Sequence, residues 1–226
     1  MKYLKDKKYQ TVPLQEAVFP GNESDLPSKP IVITFDDGTL DFWEFARPVL
    51  QKYGFNAVVF IVTGYVGKES SWDKHLGEPS RPLMTWEQIA ELHRAGFEIG
   101  SHTHTHRSLT ELTDREACLE LKESREVLMD KLGTNPEYLA YPRGFYEARH
   151  KQMARDAGYN GACAVILKWR DLLHSNRFEL KRMTIKGTES INRFGLRLQL
   201  SKVIPFTEQS KIPCGGGQNS EEFADS

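Results

Sequence analysis

The sequence predicts an α/β fold with a mainly parallel sheet or a barrel. Short apolar runs alternate along the chain with segments of helical periodicity, a pattern typical of consecutive β–α–β units. The 226 residues, 39% of them hydrophobic, suffice for one substantial domain. We therefore predict one domain over residues 1–204 and a flexible tail over residues 205–226, where glycines and acidic residues accumulate.

Six segments are predicted to form strands. Residues 31–35 and 57–62 are continuous apolar runs rich in β-branched side chains, which suits strands covered on both faces. Later apolar segments predict the remaining strands, at residues 97–100, 138–141, 161–166 and 179–185.

Helices are predicted between these strands and after the last of them. Thr85 and Thr113 each begin a capping box, completed three residues later by Gln88 and Glu116, and therefore mark helix starts. Further helices are predicted over residues 41–53, 147–157 and 190–204.

The helix over residues 41–53 carries two further expectations. Four apolar residues are spaced to form one buried side: Phe42, Phe45, Val49 and Leu50. Pro48 lies inside this run and should kink the helix or mark its restart.

A polar loop is predicted over residues 64–82, and it contains Trp72 and His75. Its length is typical of a rim loop over a site, but an insertion without a role fits the sequence as well.

Two carboxylates follow the first predicted strand. Asp36 and Asp37 stop the apolar run, and Gly38 permits a tight turn. Adjacent carboxylates at a strand end are tolerable if one binds a cation and the other accepts hydrogen bonds. The alternative is a solvated turn, which is the usual structure of an isolated Asp-Asp-Gly sequence.

Three histidines, His102, His104 and His106, follow the third predicted strand at alternate positions. In an extended segment all three would share a face and could form a three-histidine zinc site. In a helical turn only the first and the last would align, leaving room for a carboxylate ligand such as Asp37. Both alternatives predict a metal site at a strand end.

Three segments resemble the motifs of a known family. Residues 34–38 (Thr-Phe-Asp-Asp-Gly) are similar to the first motif of the polysaccharide deacetylases, the NodB-homology group of carbohydrate esterase family 4. Residues 102–106 are similar to the second motif, His-[Ser/Thr]-x-x-His, and residues 141–144 (Tyr-Pro-Arg-Gly) resemble the third. The resemblance covers about residues 1–187 and implies a distorted, incomplete (β/α) barrel with its site at the carboxyl ends of the strands.

The first two motifs carry the implied metal chemistry. Asp37, His102 and His106 would hold one divalent metal ion; Zn²⁺ suits this ligand set, and Co²⁺, Ni²⁺, Fe²⁺ and Mn²⁺ are not excluded. Asp36, beside a ligand but free of the metal, is the candidate general base that takes a proton from water.

The third motif is expected to bind the substrate. Tyr141 and Pro142 would form part of a groove wall against which a sugar ring packs. The backbone N–H of Arg143 would help to hold the tetrahedral oxyanion. Taken alone, the segment could equally be a plain exit from strand to turn.

The chain departs from the family pattern elsewhere. Well-known members carry in the third motif an Arg that orients the catalytic Asp, whereas alignment on Gly144 places Ala140 there. The fourth motif is matched only weakly, by residues 169–171 (Trp-Arg-Asp). The fifth motif, which supplies a His as general acid, has no match, and His174 and Lys186 are weak substitutes. The residue that acts as general acid is therefore not identified.

These features predict a metal-dependent hydrolase that removes N-acetyl groups from an amino-sugar polysaccharide or oligosaccharide. The missing acid leaves two alternatives open. One is an O-acetyl carbohydrate esterase, whose alkoxide leaves with less acid assistance, and the other is a carbohydrate-binding pseudoenzyme. A metal amidase acting on a small molecule is a third alternative, which a closed pocket would favour.

Composition bears on partners and compartment. The balance of 30 Lys and Arg residues against 31 Asp and Glu residues argues against nucleic acid as a main partner. No apolar run reaches the length of a membrane span, and residues 1–8 lack the apolar core of a secretory signal. Two compartments stay open, the cytoplasm and, for a truncated chain, export.

The three cysteines are too widely spaced to predict a disulfide framework or a zinc site.

Overall fold

A sheet of six parallel strands lies at the centre of the fold. The computed structural model describes residues 1–19, 26–74, 77, 79–165 and 176–201. The strands of the sheet pair in chain order: β3 (Thr34–Phe35), β4 (Val58–Ile61), β5 (Glu98–Ser101), β6 (Tyr138–Ala140), β7 (Gly161–Val165) and β8 (Leu180–Arg182). Because every pair is parallel, the carboxyl ends of all six strands meet at one edge.

Helices connect these strands and cover the sheet. Their bounds are α1 (Lys2–Asp6), α2 (Leu14–Val18), α3 (Arg47–Tyr53), α4 (Trp86–Arg94), α5 (Asp114–Leu132), α6 (Ala148–Asp156) and α7 (Ile191–Ser201). Both predicted capping boxes are present, at the starts of α4 and α5. None of the helices in the described ranges combines the length and apolarity that a membrane crossing requires.

The sheet curls, so that its two edge strands approach each other. Arg182 of β8 donates a hydrogen bond to the hydroxyl of Thr34 on β3, over 3.1 Å. Inside the curl, α2 packs against β4 and β6 through a shared apolar cluster that includes Val58, Phe60 and Tyr138. The architecture is an incomplete (β/α) barrel, which confirms the predicted fold class.

The first predicted strand is divided in two. Its start belongs to β2 (Pro30–Ile31), which pairs with β1 (Gln10–Thr11) in a separate parallel sheet, whereas its end is β3. The prediction of one continuous strand was wrong, because the chain changes its pairing partner at Val32 and Ile33.

The apolar side predicted for residues 41–53 was also partly wrong. Phe42 and Leu50 are buried, but Phe45 is 69% exposed and Val49 is 43% exposed. The cause is a π-helical turn over Phe42–Ala46, which widens the residue spacing and rotates the following side chains away from the α-helical phase. Pro48 lies in the first turn of α3, so the predicted restart is confirmed.

The later elements agree with the sequence to within a few residues at each end. Ile166 and residues 202–226 lie outside the described residues, so the flexible tail and the end of the last helix remain predictions. Cys118 and Cys163 are free thiols, and Cys214 lies outside the described residues.

Candidate metal centre

The turn after β3 separates two neighbouring carboxylates. The N–H of Gly38 donates to the carbonyl oxygen of Asp36 over 2.9 Å, which closes a turn around Asp37. The φ angle of Asp37 is 72°, in the left-handed region, which Asp tolerates better than most residues. The tight turn lets each carboxylate face a different group of partners.

The loop after β5 is neither extended nor helical. Thr103 and His106 both have left-handed φ angles, 65° and 63°. The hydroxyl of Ser101 accepts from the N–H of Thr103, and the hydroxyl of Thr103 accepts from the N–H of His106, each over 3.2 Å. This geometry brings the imidazole rings of His102 and His106 to 4.8 Å between centroids. A left-handed β-branched Thr is unusual, and such strain concentrates at functional sites.

Glu120 of α5 stabilises this loop by hydrogen bonds. Its carboxylate accepts hydrogen bonds from the backbone N–H groups of His104 (2.9 Å) and Thr105 (2.7 Å), and from the Thr105 hydroxyl. Glu120 was not among the predicted site residues, although a carboxylate on the buried stripe of α5, beside Leu121, is a signal that could have identified it.

Asp37, His102 and His106 form a group that could hold a metal ion. Their ligand atoms all lie within 4.8 Å of one another. Oδ1 of Asp37 lies 3.5 Å from Nε2 of His102 and 3.4 Å from Nε2 of His106. Atoms bound about 2.0–2.2 Å from a tetrahedral Zn²⁺ lie about 3.3–3.6 Å apart, so both separations fit such an ion.

Both imidazoles are neutral in these surroundings. Burial lowers the pKa of His102, and burial together with the charge of His102 lowers the pKa of His106 to about 4. Nδ1 of His102 lies 2.7 Å from the carbonyl oxygen of Ala140, which can only accept, so the proton is on Nδ1 and Nε2 has a free lone pair. Neutral imidazole is the form that binds metals, so the donor set fits a divalent cation.

His104 does not join this group. Its Nδ1 lies 2.9 Å from the hydroxyl of Thr63, and its Nε2 lies 4.0 Å from a carboxylate oxygen of Glu123. The three-histidine alternative was therefore wrong, because the left-handed residue at Thr103 ends the extended conformation that the alternative requires.

Asp36 binds Arg182 and lies close enough to His102 and His106 to interact with them electrostatically. The guanidinium donates to both carboxylate oxygens, over 2.6 and 2.8 Å. Burial raises the pKa of Asp36, but the electrostatic interactions with the imidazole of His102 and with Arg182, together with the hydrogen bonds from Arg182, outweigh it, and the pKa lies below its usual range. Asp37 has the opposite balance: burial and the charge of Asp36 raise its pKa, although the interaction with the imidazole of His106 opposes the shift.

Arg182 binds the carboxylate of Asp36. In well-known family members an Arg of the third motif is expected to make this contact, and the third motif of this chain has no such Arg. Alignment on Gly144 places Ala140 at the expected position of this arginine, whereas the structure brings Arg182 from β8, 146 residues from Asp36. Leu180 faces the inside of the curl, and alternation along the strand aims Arg182 inward as well.

The third motif is placed differently from the expectation. The side chain of Tyr141 is fully buried, its hydroxyl donates to the carbonyl oxygen of Phe178, and Pro142 is also buried. The expectation that Tyr141 and Pro142 form a groove wall was wrong, because strand alternation turns Tyr141 toward the layer of helices. Arg143 is exposed at the turn, with a left-handed φ of 58°.

Other predicted candidates are not part of this group. His75, His174 and residues 169–171 lie outside the described residues. Lys186 is exposed in the segment between β8 and α7. Trp72, which the sequence placed only in a rim loop or an insertion, lies against the ring of His106.

Comparison with known proteins identifies the family. The sequence profile described as polysaccharide deacetylase matches residues 23–162, which is more than half of the chain. The chain belongs to the polysaccharide deacetylase family. The predicted family is therefore confirmed.

Individual relatives agree with this family. The Bacillus subtilis (strain 168) protein YxkH, described as a polysaccharide deacetylase, is 34% identical over 160 residues, which cover 70% of this chain and 53% of YxkH. A poly-beta-1,6-N-acetyl-D-glucosamine N-deacetylase of Staphylococcus aureus (strain MRSA252) is 25% identical over 70% of this chain and 55% of its own length. The chain thus spans about half the length of these curated relatives.

A solved deacetylase has the same fold. The Streptococcus pyogenes deacetylase PplD superposes with a TM-score of 0.71 at 24% identity, over 87% of this chain and 83% of PplD. At this identity the likeness shows the fold alone.

Proposed function

We propose that the protein is a metal-dependent deacetylase that removes N-acetyl groups from an amino-sugar polysaccharide or oligosaccharide. The observation that carries the proposal is that two adjacent carboxylates have different partners. Asp37 faces two neutral imidazoles at distances that fit one tetrahedral cation, while Asp36 is held by Arg182. When bound, a divalent cation supplies Lewis-acid polarisation of the acetyl carbonyl and activation of water.

Asp36 is proposed to act as the general base. Its carboxylate is ionised, because His102 and Arg182 keep its pKa below the usual range, and it is about one-third exposed. The two hydrogen bonds from Arg182 fix the plane of the carboxylate, so an oxygen stays oriented toward the proton that it accepts.

The oxyanion is proposed to be held by the backbone N–H of Arg143, in the turn after β6. The left-handed conformation at Arg143 is the kind of strained backbone found at active sites. One such donor is typically worth about 3 kcal/mol to the transition state.

The substrate is proposed to be a polymer or oligomer of N-acetylglucosamine. Support comes from the Staphylococcus aureus relative, whose name states that it deacetylates poly-beta-1,6-N-acetyl-D-glucosamine.

The test is acetate release by the metal-loaded protein. We expect release from N-acetylglucosamine oligomers in the presence of Zn²⁺ or Co²⁺, and loss of release after chelation. Acetylated xylan, assayed beside them, reports the O-acetyl esterase activity. Release from xylan alone would overturn the proposal in favour of the esterase, and release from neither substrate would favour the pseudoenzyme.

Asp36→Asn is the matched variant. It removes the proposed base but keeps the size of the side chain and an acceptor for Arg182, so we expect kcat to fall by about 10²–10⁴-fold while the protein still binds metal. Calorimetric titration of Zn²⁺ into the variant checks the second point. A variant that retains full turnover would exclude Asp36 as the base.

A further inference from the structure

The two imidazoles of the metal centre are held in different ways. Nδ1 of His102 is bonded to the carbonyl oxygen of Ala140, whereas Nδ1 of His106 is buried without a hydrogen-bond partner in the described part of the chain. A metal-ligating histidine usually donates its second N–H to an acceptor, and this bond fixes the ring. Among the described residues, the contact that can orient this ring is aromatic packing.

Trp72 provides a packing surface at this position. Its ring lies against the imidazole of His106, with centroids 4.6 Å apart and planes inclined by 37°. Tyr65 in turn meets Trp72 edge to face, with centroids 5.1 Å apart and planes at 88°. Such aromatic contacts are worth about 0.5–1.5 kcal/mol beyond the area that they bury, which is enough to favour one ring orientation.

An ion pair ties the neighbour of Trp72 to the other side of the centre. Asp73 pairs with the guanidinium of Arg143, in the turn after β6. Both side chains are about one-third exposed, so the pair adds little to overall stability. Its geometric effect is larger, because it joins the loop after β4 to the turn after β6.

We propose that Trp72 is a positioning residue that fixes the imidazole of His106 for metal binding, and that the Asp73–Arg143 ion pair holds Trp72 in place. The inference rests on the metal site of the proposed function but not on its substrate. Trp72 would act through His106, whose imidazole its ring contacts.

The first test compares Trp72→Ala with Trp72→Phe in metal titrations of the apoprotein. We expect the alanine variant to lose about 10–100-fold in Zn²⁺ affinity, the usual effect of removing a group that orients a metal ligand. The phenylalanine variant keeps a ring against His106 and should stay within about threefold of the parent protein. Equal losses in both variants, or no loss in the alanine variant, would overturn the proposal.

The second test addresses the ion pair. Asp73→Asn and Arg143→Gln should each weaken Zn²⁺ binding, and the double variant should be no weaker than the poorer single variant, since both changes break one contact. Lys74→Gln, which removes one exposed charge from the same segment, is the control and should leave affinity unchanged. Additive losses, or an equal loss in the control, would refute the role of the pair.

A spectroscopic readout separates positioning from general stability. Co²⁺ bound to the parent protein should quench the fluorescence of Trp72, measured as the difference from Trp72→Phe, because the ion lies close to the ring. The visible Co²⁺ spectrum should change in Trp72→Ala and not in Trp72→Phe. An unchanged spectrum in Trp72→Ala would contradict the proposal. These experiments need no turnover, so they can fail while the deacetylase proposal holds, and the reverse is equally true.

Discussion

Asp36 and Asp37 are neighbours in the chain with opposite electrostatic surroundings. The imidazole of His102 and the paired guanidinium of Arg182 lower the pKa of Asp36, whereas burial and the charge of Asp36 raise the pKa of Asp37. Desolvation acts on both, so the difference arises from the partner that each side chain reaches. A cation bound beside Asp37 would supply the charge that Arg182 supplies to Asp36.

The first prediction concerns Arg182. Replacement by Met should lower kcat by about 10²–10⁴-fold, because Asp36 loses its orientation and its pKa rises. The acid limb of the pH–rate profile should move to higher pH, since the base must be deprotonated and its pKa is no longer held down. Denaturant unfolding should show a loss of about 1–3 kcal/mol, less than for a fully buried pair because Asp36 is one-third exposed.

Arg182→Lys separates charge from geometry in this first prediction. Lysine keeps the positive charge but cannot donate to both carboxylate oxygens as a planar fork does. We expect a smaller shift of the acid limb than in the Met variant, together with a clear loss of kcat. A lysine variant with full activity would show that orientation by the fork is unimportant.

The second prediction concerns Glu98, at the opposite end of the barrel. Burial raises the pKa of Glu98, although the hydrogen bond from the N–H of Leu14 (3.1 Å) opposes the shift. Because the folded pKa exceeds the unfolded one, ionised Glu98 reduces stability at pH values above the folded pKa. Glu98→Gln keeps an acceptor for Leu14 and should raise Tm at pH 7.5, with the gain disappearing below the ordinary pKa of 4.5. Thermal unfolding at both pH values checks this.

A pH-independent change in Tm for Glu98→Gln would show that packing rather than charge is responsible. Glu126→Gln, an exposed position on α5, is the matched control and should leave Tm unchanged at both pH values.

At the scale of elements, the histidine loop depends on α5. Three hydrogen bonds from the loop end on the buried carboxylate of Glu120, while local bonds from Ser101 and Thr103 set the backbone turns. Two left-handed residues, Thr103 and His106, persist because these bonds over-determine the conformation. The geometry of the candidate metal centre therefore depends on the loop and the helix together.

The third prediction tests this support. Glu120→Gln can accept through only one oxygen and has no charge, so the loop should loosen, and Zn²⁺ affinity should fall by about 10–100-fold. Glu123→Gln, one turn away on α5 and half exposed, removes the same charge without touching the loop backbone and should change affinity by less than about threefold. Calorimetric titration of both apoproteins measures the difference. Equal effects would mean that net charge, not the hydrogen bonds, matters.

Local sequence signals predicted elements better than they predicted contacts between elements. The capping boxes at Thr85 and Thr113 and the strand–helix alternation are encoded within a few residues, and they were predicted correctly. The π-helical turn before Arg47 and the left-handed residues of the site depend on surrounding packing that no short pattern reports. The grouping of Asp37, His102 and His106 was predictable because each follows a strand of one parallel sheet.

At the scale of the whole molecule, the candidate site contains residues from both edges of the curled sheet. Asp36 and Asp37 follow β3 at one edge, and Arg182 ends β8 at the other. This contact joins residues at opposite ends of the sheet order, so no local pattern could reveal it. The motif-bearing segments were readable from sequence, whereas the long-range partner of Asp36 was not.

The fourth prediction follows from the way in which the ligands span the fold. A cation that binds only the folded chain stabilises it by about 2.7 kcal/mol at a free concentration one hundred times Kd. We therefore expect chelation to lower Tm by about 5–10 °C relative to the Zn²⁺-saturated protein, the shift usual for a chain of this size. His106→Ala should abolish this difference. A Tm insensitive to Zn²⁺ in the parent protein would contradict the metal site.

The ion pair between Arg182 and Asp36 indicates how much of the chain the candidate site needs. The region that carries the recognisable motifs, residues 23–162, ends before β8 begins. A fragment cut after β7 would keep Asp36, Asp37 and both imidazoles, and would look complete by inspection of its motifs. It would nevertheless leave the carboxylate of Asp36 without a guanidinium, so we expect such a fragment to keep the candidate metal ligands but to lack the group that orients the proposed base.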